Sequence, residues 1–166
     1  GYDVTIGPLG WKHLRTMATG VAKLKPEATG LPPTTIGHVA SPVPGRVVTY
    51  AFGIPNPSYA AGYHTGDDYA ASVGTPVVAV RNGTIAWANS NGGAYGNWLG
   101  LRADNGRDYV YCHLSQFQTG VGVGSKVQAN QIIGYVGQTG NATGPHLHFE
   151  DRPAGGGYGA VRKPTW

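Results

Sequence analysis

The chain has 166 residues and a formal net charge of +4, from twelve Lys and Arg against eight Asp and Glu. It contains neither a basic run typical of nucleic-acid binding nor an apolar run of the roughly 18 residues that a membrane span needs. These absences disfavour nucleic-acid binding and predict no membrane span, whereas the basic balance favours an anionic partner. No signal peptide is predicted.

Glycine (28 residues) and proline (12) are abundant, and only 12% of the residues are charged. This composition predicts many short strands joined by turns, and hence a mainly antiparallel β architecture. The length suits one domain, residues 41–166, preceded by an extension, residues 1–40. The single Cys112 rules out an internal disulfide. It is expected to be a small buried apolar residue, with a role as a ligand as the alternative.

Residues 1–40 differ from the rest of the chain. Apolar residues recur at three- and four-residue steps, which predicts a short amphipathic helix that ends before Pro26: Trp11, Leu14, Met17, Ala18, Val21 and Leu24. A stretch rich in Pro, Thr and Gly follows at 29–37 and is typical of a linker. The apolar stripe indicates a packing surface rather than a chemical site.

Short strands are predicted from residue 47 onwards. The first is at 47–52 and the second, fully buried, is at 77–80. Asn82-Gly83 predicts a hairpin turn that leads into a return strand at 84–88.

A second hairpin is predicted from 98–103 to 107–114 across Asp104-Asn105-Gly106. Residues 120–124 alternate Gly and Val, but no Lys-Ser/Thr ending follows, so this run indicates a loop or an edge strand and not a phosphate-binding turn. Further short strands are predicted at 127 and 132–136.

Histidines fall in three clusters. In the run Gly144-Pro-His-Leu-His-Phe-Glu150, His146 and His148 project to the same face if the run is a strand. They could bind a metal together, or one could bind it while the other moves protons. In the second cluster His64 and Asp68 share a face of an extended segment, with Gly66 leaving space between them, and the third carries His113.

Imidazole and carboxylate are suitable zinc ligands, and two His with one Asp would leave a coordination position open, as in catalytic zinc sites. Two acidic residues stay ambiguous. Asp67 is expected to face away from the metal, with an exchange of roles with Asp68 as the alternative. Glu150 is either a hydrogen-bonding partner of the metal site or a surface carboxylate at a strand end.

Seven elements occur in a fixed order along residues 41–152. They are His64-x-Gly-x-Asp68, Gly74-Thr-Pro-Val77, Asn82-Gly-Thr84, Tyr95-Gly-Asn97, Tyr111-x-His113-Leu114, Gly134-x-Val-Gly137 and Thr139-Gly-x-x-Thr-Gly-Pro-His-Leu-His-Phe-Glu150. With these elements the chain resembles the lysostaphin-type zinc metallopeptidases, the M23 peptidase family. Residues 1–40 lie outside the resemblance.

The resemblance implies an antiparallel β-sheet or β-roll core of the M23 type, known as a duplicated hybrid motif, with long loops around a groove. It implies one zinc ion per chain, held by His64, Asp68 and His148. It further implies that His113 and His146 are catalytic. Substrate-binding residues are expected in the aromatic and polar positions near the site: Tyr59, Tyr63, Tyr95 and Asn97.

For function, the resemblance implies a zinc endopeptidase that cuts cross-links or stem peptides of bacterial peptidoglycan. The alternative is a non-catalytic peptidoglycan-binding or regulatory module of the same fold, although such modules typically lack one or more of the five site residues. A monomer is expected, acting extracellularly or at the cell wall, either phage-encoded or secreted by a bacterium. Glycyl-glycine bonds and bonds between D-Ala and a diamino acid both remain open as the target.

Overall fold

The computed structural model describes residues 41–166, so the predicted helix and linker lie outside the described residues. Eight strands make up most of the regular structure of this part of the chain. They are β1 (Asp67–Ala70), β2 (Pro76–Val78), β3 (Gly83–Asn89), β4 (Asn97–Ala103), β5 (Arg107–Phe117), β6 (Lys126–Val127), β7 (Ile132–Val136) and β8 (His146–Pro153). Two short 3₁₀ turns, Gly93–Tyr95 and Tyr158–Ala160, complete it.

All strand pairs are antiparallel and belong to one sheet, in the order β1-β8-β5-β4-β3-β6. Strand β7 pairs with the far end of β5 and with β2. The architecture therefore confirms the mainly antiparallel β fold that the turn-rich composition predicts.

Strand β5 is the longest strand, and its two ends have different neighbours. Residues 107–112 pair with β8, whereas the segment from Leu114 to Phe117 pairs with β7. Between them His113 adopts a φ of 62°, in the left-handed region that residues with a Cβ seldom occupy. This conformation interrupts the side-chain alternation of β5 at the point where its pairing partner changes, so His113 is placed by a local irregularity and not by a regular strand.

Strand β8 lies between β1 and β5, and its side chains alternate between two buried surfaces. Leu147 and Phe149 enter the hydrophobic core, which they share with large side chains of β3, β4 and β5: Ile85, Leu99, Leu101, Tyr109, Tyr111 and Leu114. The alternate residues of β8 form a polar row on the other surface: His146, His148, Glu150 and Arg152. The core thus fixes the strand that carries the paired histidines.

Two elements predicted from the sequence are wrong. Residues 47–52 form no strand, because their only ladder contact is a bridge between Tyr50 and Asp68, and Val47 is 77% exposed. Apolar residues alone do not make a strand where the backbone lacks a partner over several residues.

The hairpin at Asn82-Gly83 is also absent, since β2 pairs with β7 and β3 pairs with β4 and β6. The side chain of Asn82 instead accepts a hydrogen bond from the backbone N–H of Ala129. A Cβ on Gly83 would lie 2.3 Å from the carbonyl oxygen of Arg102, so this glycine serves the close approach of two strands.

Other predictions are confirmed. Strands β4 and β5 form the hairpin across residues 104–106, with Gly106 at a φ of 74°. Strands β6 and β7 coincide with the short strands predicted near 127 and at 132–136. Cys112 is a fully buried free thiol, and burial raises its pKa well above the usual value. In residues 41–166, no helix has the length and apolar character needed to cross a membrane.

Candidate metal centre and active site

Three potential metal ligands converge beside the β1–β8 pair. The ring nitrogens His64 Nε2 and His148 Nδ1 are 3.1 Å apart. Asp68 Oδ1 lies 3.1 Å from the first and 2.8 Å from the second. The cluster is shielded from solvent, since both histidines are buried and the Asp68 side chain is 14% exposed.

Strand register brings two of these residues together. Asp68 on β1 is directly opposite His148 on β8, so their side chains share one face of the sheet. The chain reaches this register through Gly66, where a Cβ would lie 2.3 Å from the carbonyl oxygen of Phe149. The glycine is therefore needed for close backbone approach, and a Cβ there would also lie 3.0 Å from Cε1 of His148, so the glycine keeps the space beside this candidate ligand open as well.

His64 lies just before β1 and is oriented by its second ring nitrogen. Nδ1 is 3.0 Å from the carbonyl oxygen of Ala51, which can only accept, so Nδ1 carries a proton and Nε2 faces the cluster. The rings of Tyr50 and Tyr59 pack against the imidazole at centroid distances of 4.5 Å and 5.5 Å. Backbone and aromatic contacts together fix this ring.

His148 is oriented by a buried carboxylate. Its Nε2 lies 3.1 Å from Glu150 Oε1, two residues along the same strand, and 3.3 Å from the hydroxyl of Thr65. Glu150 is fully buried, so it is a partner of the site and the surface-carboxylate alternative is wrong. Asp67 also has a structural contact, since its Oδ1 accepts a hydrogen bond of 2.8 Å from the backbone N–H of Phe52.

The two remaining histidines flank the cluster. The rings of His113 and His146 have centroids 4.7 Å apart, and the His113 ring is 6.0 Å from that of His148. His146 Nε2 lies 3.8 Å from Asp68 Oδ2. All five residues that the sequence analysis singled out therefore meet in one place, although they come from widely separated parts of the chain.

The electrostatics of the cluster reflect its burial and its carboxylates. Burial alone would raise the pKa of Asp68, but hydrogen bonds with His148 and His64 hold that pKa well below its usual range. Burial would lower the pKa of His148, but hydrogen bonds to Asp68 and Glu150 raise it to about 9. For His113, burial dominates and lowers the pKa to about 4, helped by the charges of His146 and His148 against an opposing hydrogen bond to Thr139.

The cluster of His64, Asp68 and His148 fits a zinc ion. Tetrahedral ligands about 2.0–2.1 Å from zinc lie about 3.3 Å from one another. The three donor atoms are already within 2.8–3.1 Å of each other, and the two imidazoles with one carboxylate are a donor set that zinc accepts. A site of three protein ligands leaves a position open, as catalytic zinc requires.

A groove of about 860 Å³ opens over this cluster. Aromatic, amide, hydroxyl and small side chains line it, and Asp68 is the only Asp, Glu, Lys or Arg in its lining among the residues that the structure describes. Much of its lining comes from residues within 56–60, 92–95 and 141–146. The groove thus places the candidate metal cluster beside a surface with few charged side chains.

The four predicted substrate-binding residues take different positions. Tyr59 and Tyr95 line the groove. Tyr63 lies outside its lining and packs on Phe52 at a centroid distance of 5.7 Å. Asn97 is also outside, and its side-chain amide donates to the carbonyl oxygens of Leu114 and Ser115, at the irregular part of β5.

Thr65 and Arg152 contribute to the site but were missed by the sequence analysis. Thr65 donates a hydrogen bond of 2.7 Å to Glu150 Oε1, and Arg152 Nε donates one of 2.9 Å to Glu150 Oε2. The sequence did contain a signal for Arg152. Residues two positions apart in a strand lie on the same face, so Arg152 shares the face of His148 and Glu150. The role of Thr65 depends on the β1–β8 contact, which the sequence does not reveal.

Comparison with known proteins agrees with this geometry. Residues 62–158 match the sequence model of a protein family described as peptidase family M23. The DD-carboxypeptidase/endopeptidase Mpg of Neisseria meningitidis serogroup B is 48% identical over 89 residues, which are 54% of this chain and 20% of that protein. The chain therefore matches about a fifth of the length of this curated relative.

Solved structures share the fold over more of the chain. The catalytic domain of the antimicrobial peptidase lysostaphin from Staphylococcus simulans is 36% identical, with a TM-score of 0.68, and the match covers 76% of this chain and 95% of that one. A zinc-containing peptidase from Vibrio cholerae is 30% identical with a TM-score of 0.63, covering 78% of this chain and 39% of that one.

Proposed function

This chain belongs to peptidase family M23, and we propose that it is a zinc-dependent endopeptidase that hydrolyses cross-links or stem peptides of bacterial peptidoglycan. The observation that carries the proposal is the convergence of His64, Asp68 and His148, with donor atoms 2.8–3.1 Å apart, next to two further histidines. The comparisons support the substrate, since relatives of this chain carry names that denote endopeptidases of the wall, such as the peptidoglycan DD-endopeptidase ShyC.

His64, Asp68 and His148 would hold one zinc ion. When bound, zinc supplies a Lewis acid that makes water more acidic and polarises a carbonyl group. The chain contributes the orientation of the ligands: Ala51 fixes His64, while Thr65 and Glu150 fix His148.

His113 and His146 would handle protons. Nδ1 of each ring faces a backbone carbonyl oxygen, which leaves Nε2 as the atom that can accept or donate. The lowered pKa of His113, about 4, keeps this ring neutral at neutral pH and available as a proton acceptor. His146, on the other side of the pair, would donate a hydrogen bond from Nε2 in its doubly protonated form, with Nδ1–H kept on the Gly144 carbonyl, to the oxygen on which negative charge develops.

The lining of the groove bears on the substrate. Apart from Asp68 and the histidines of the site it offers no Asp, Glu, Lys or Arg among the described residues, and a carboxylate or ammonium group buried without a partner is costly. The peptide segment next to the scissile bond is therefore expected to be uncharged or to direct its charges to solvent. Tyr59 and Tyr95 would contact this segment, and Tyr63 and Asn97 would support the loops around it.

The biological setting is proposed from the same observations. An enzyme with this target acts at the cell wall, either as a phage-encoded lysin or as a secreted bacterial hydrolase. We expect a monomer, in which residues 41–166 form the catalytic domain and residues 1–40 an extension that contributes no zinc ligand.

Digestion of purified walls of defined cross-link chemistry tests the proposal. Mass spectrometry of the released fragments should show a new amino terminus within a peptide cross-link or stem, and a zinc chelator should abolish its appearance until zinc is restored. Binding to walls without release of any fragment by the zinc-loaded protein would favour the non-catalytic module instead.

A further inference from the structure

The carboxylate of Glu150 is held from several directions inside the protein. Its Oε1 accepts hydrogen bonds from the hydroxyls of Thr65, at 2.7 Å, and Tyr95, at 2.8 Å, and faces His148 Nε2 at 3.1 Å. Its Oε2 accepts two N–H groups from Arg152. These contacts restrict the rotation of the Glu150 carboxylate. Because the carboxylate is fixed, the His148 ring can donate from Nε2 to Oε1 in only one orientation.

The charge of Glu150 is balanced beside it. Glu150 is fully buried and Arg152 is 4% exposed, and a buried carboxylate is tolerated only with a paired and well-bonded cation. Arg152 Nη2 also donates to the Tyr95 hydroxyl at 3.0 Å, which closes a ring of contacts among the three residues. Removal of one member leaves the other two with unsatisfied buried groups.

Tyr95 touches the metal cluster in a second way. Its ring is stacked on His148 with a centroid distance of 6.2 Å and an angle of 23°, and on Trp98 at 5.2 Å and 27°. One side chain therefore holds His148 by its ring and holds Glu150, the partner of His148, by its hydroxyl.

We propose that Tyr95, Glu150 and Arg152 form a positioning unit that directs Nδ1 of His148 at the zinc and thereby sets the affinity for the metal. This inference rests on the proposed function, because it takes His148 as a zinc ligand. The three residues are positioning residues and act on the chemistry only through His148. A carboxylate on the far nitrogen of a ligating histidine fixes its tautomer and ring angle.

The same strand provides a matched control. Asp151 follows Glu150, is equally buried and is paired with Arg107, but it lies on the opposite face of β8. It also accepts a hydrogen bond from the backbone N–H of Thr165. A variant of Asp151 thus breaks a buried ion pair in the same strand without touching any donor of the metal cluster.

The test measures zinc dissociation constants by competition with a chromophoric chelator, for the full chain and three variants. Glu150→Gln is expected to weaken zinc binding by about ten- to a hundredfold, the usual effect of losing such a partner. Tyr95→Phe removes one hydroxyl and keeps the ring, so a smaller loss of several-fold is expected. Asp151→Asn should lower the thermal unfolding temperature and leave the zinc dissociation constant within about twofold of the parent protein.

A second readout follows the ligand geometry directly. After substitution of zinc by cobalt, the visible absorption bands of Glu150→Gln should shift relative to the parent protein, whereas those of Asp151→Asn should not. Because Glu150→Gln leaves Arg152 without its charge partner and is expected to be less stable, Tyr95→Phe provides an independent arm.

Three outcomes would overturn the inference in distinguishable ways. Parent-like zinc affinity and cobalt spectra in both Glu150→Gln and Tyr95→Phe would overturn the positioning unit and leave the proposed function intact. An equal loss of affinity in Asp151→Asn would show that any broken buried ion pair has this effect. A parent protein that binds no zinc would overturn the proposed function and the inference together.

Discussion

His113 and His146 are held in the same way: Nδ1 of each ring lies 2.8 Å from a backbone carbonyl oxygen, that of Thr139 for His113 and that of Gly144 for His146. A carbonyl oxygen can only accept, so each Nδ1 carries a proton and each Nε2 is the working atom. No ring nitrogen of either histidine belongs to the cluster of His64, Asp68 and His148, whose ligand atoms lie within 4.8 Å of one another. This arrangement supports the proposal that the pair transfers protons beside the cluster and does not bind the metal.

Changing His113 or His146 to Ala should lower the rate of cross-link hydrolysis by about 10²–10⁴-fold, the range typical of a lost general acid or base. Zinc content should stay close to that of the parent protein, because neither side chain belongs to the donor cluster. Plasma-emission metal analysis of the same samples checks this, with His148→Ala as the variant that should lose zinc. Loss of zinc in His146→Ala and its retention in His148→Ala would reverse the assigned roles.

The five histidine and aspartate positions of this site were expected from the resemblance, and strand alternation, a short-range rule, predicts which of them share a face. The spacing of His146 and His148 places them on one face of β8, and the structure has them there. The same rule extends to Glu150 and Arg152, but it gives no information on burial. Whether Glu150 faced solvent or protein depended on Thr65 and Tyr95, which are brought to it by the long-range pairing of β1 with β8 and by the turn before β4.

The irregular parts of the fold were beyond prediction for a different reason. His113 lies where β5 exchanges one partner strand for another, and its φ of 62° costs about 1–3 kcal/mol that tertiary contacts must offset. Asn82-Gly83 is favourable for a tight hairpin, yet β2 and β3 find partners elsewhere in the sheet. Local preference yields to pairing between distant segments at both places.

The adjacent acidic residues Asp67 and Asp68 give the sharpest test of the metal ligands. Asp68→Asn removes one of the three donor atoms of the cluster. The loss of zinc affinity should therefore exceed the loss of about ten- to hundredfold that is typical when a hydrogen-bonding partner of a ligand is removed. Asp67→Asn should keep zinc near the parent level, because the Asp67 carboxylate bonds the backbone N–H of Phe52 instead. Chelator competition measures both, and retention of zinc by Asp68→Asn with loss in Asp67→Asn would show that the roles are exchanged.

Zinc binding should release about one proton from the site. In the metal-free protein both ring nitrogens of His148 face carboxylates, and its pKa is raised to about 9 although burial opposes this. Below that pH the ring is protonated, and Nδ1 must lose its proton before it can bind a metal. The zinc association constant should therefore rise about tenfold for each pH unit between about 6 and 8.

Calorimetry in buffers of different ionisation enthalpy measures the released proton directly. Glu150→Gln provides a comparison, because it removes one of the two carboxylates that hold the proton on His148. Its pH dependence should be shallower near the upper end of this range. Zinc affinity that does not change with pH in the parent protein would contradict a protonated His148.

The titration of His113 should make the stability of the metal-free protein depend on pH. Burial lowers the pKa of this ring to about 4, below the value of about 6.5 for an exposed histidine. Between these values the unfolded chain takes up a proton that the folded protein does not, so the free energy of unfolding falls as the pH falls from about 6.5 to about 4. Above about 6.5 both states are neutral and the contribution to stability is fully present.

Urea unfolding in the presence of a metal chelator measures how the free energy of unfolding of the metal-free protein depends on pH. Between about pH 7 and pH 4.5 the parent protein should lose more stability than His113→Gln, which keeps a polar side chain but cannot titrate. The acidic residues titrate in both proteins, so their effects cancel in the difference. Parallel stability curves would show that the His113 ring is not held neutral.

Salt should separate attraction to the wall from the chemistry of the site. The net charge is +4, and half of it comes from residues 1–40, which contain four basic and two acidic residues. Charges of this kind are screened over about 10 Å at 0.1 M salt and about 3 Å at 1 M. The groove, in contrast, offers no Lys or Arg in its described lining, so a small neutral peptide gains little from electrostatic attraction.

Raising sodium chloride from about 0.05 M to about 0.5 M should therefore slow the lysis of intact walls several-fold. Cleavage of a soluble, uncharged peptide that reproduces the cross-link should change by less than about twofold, because metal coordination and the buried histidines are poorly reached by added ions. Turbidity measures the first rate and chromatography of the products measures the second, with one enzyme preparation serving both assays. Equal sensitivity of the two rates to salt would mean that the net charge does not serve attachment to the wall.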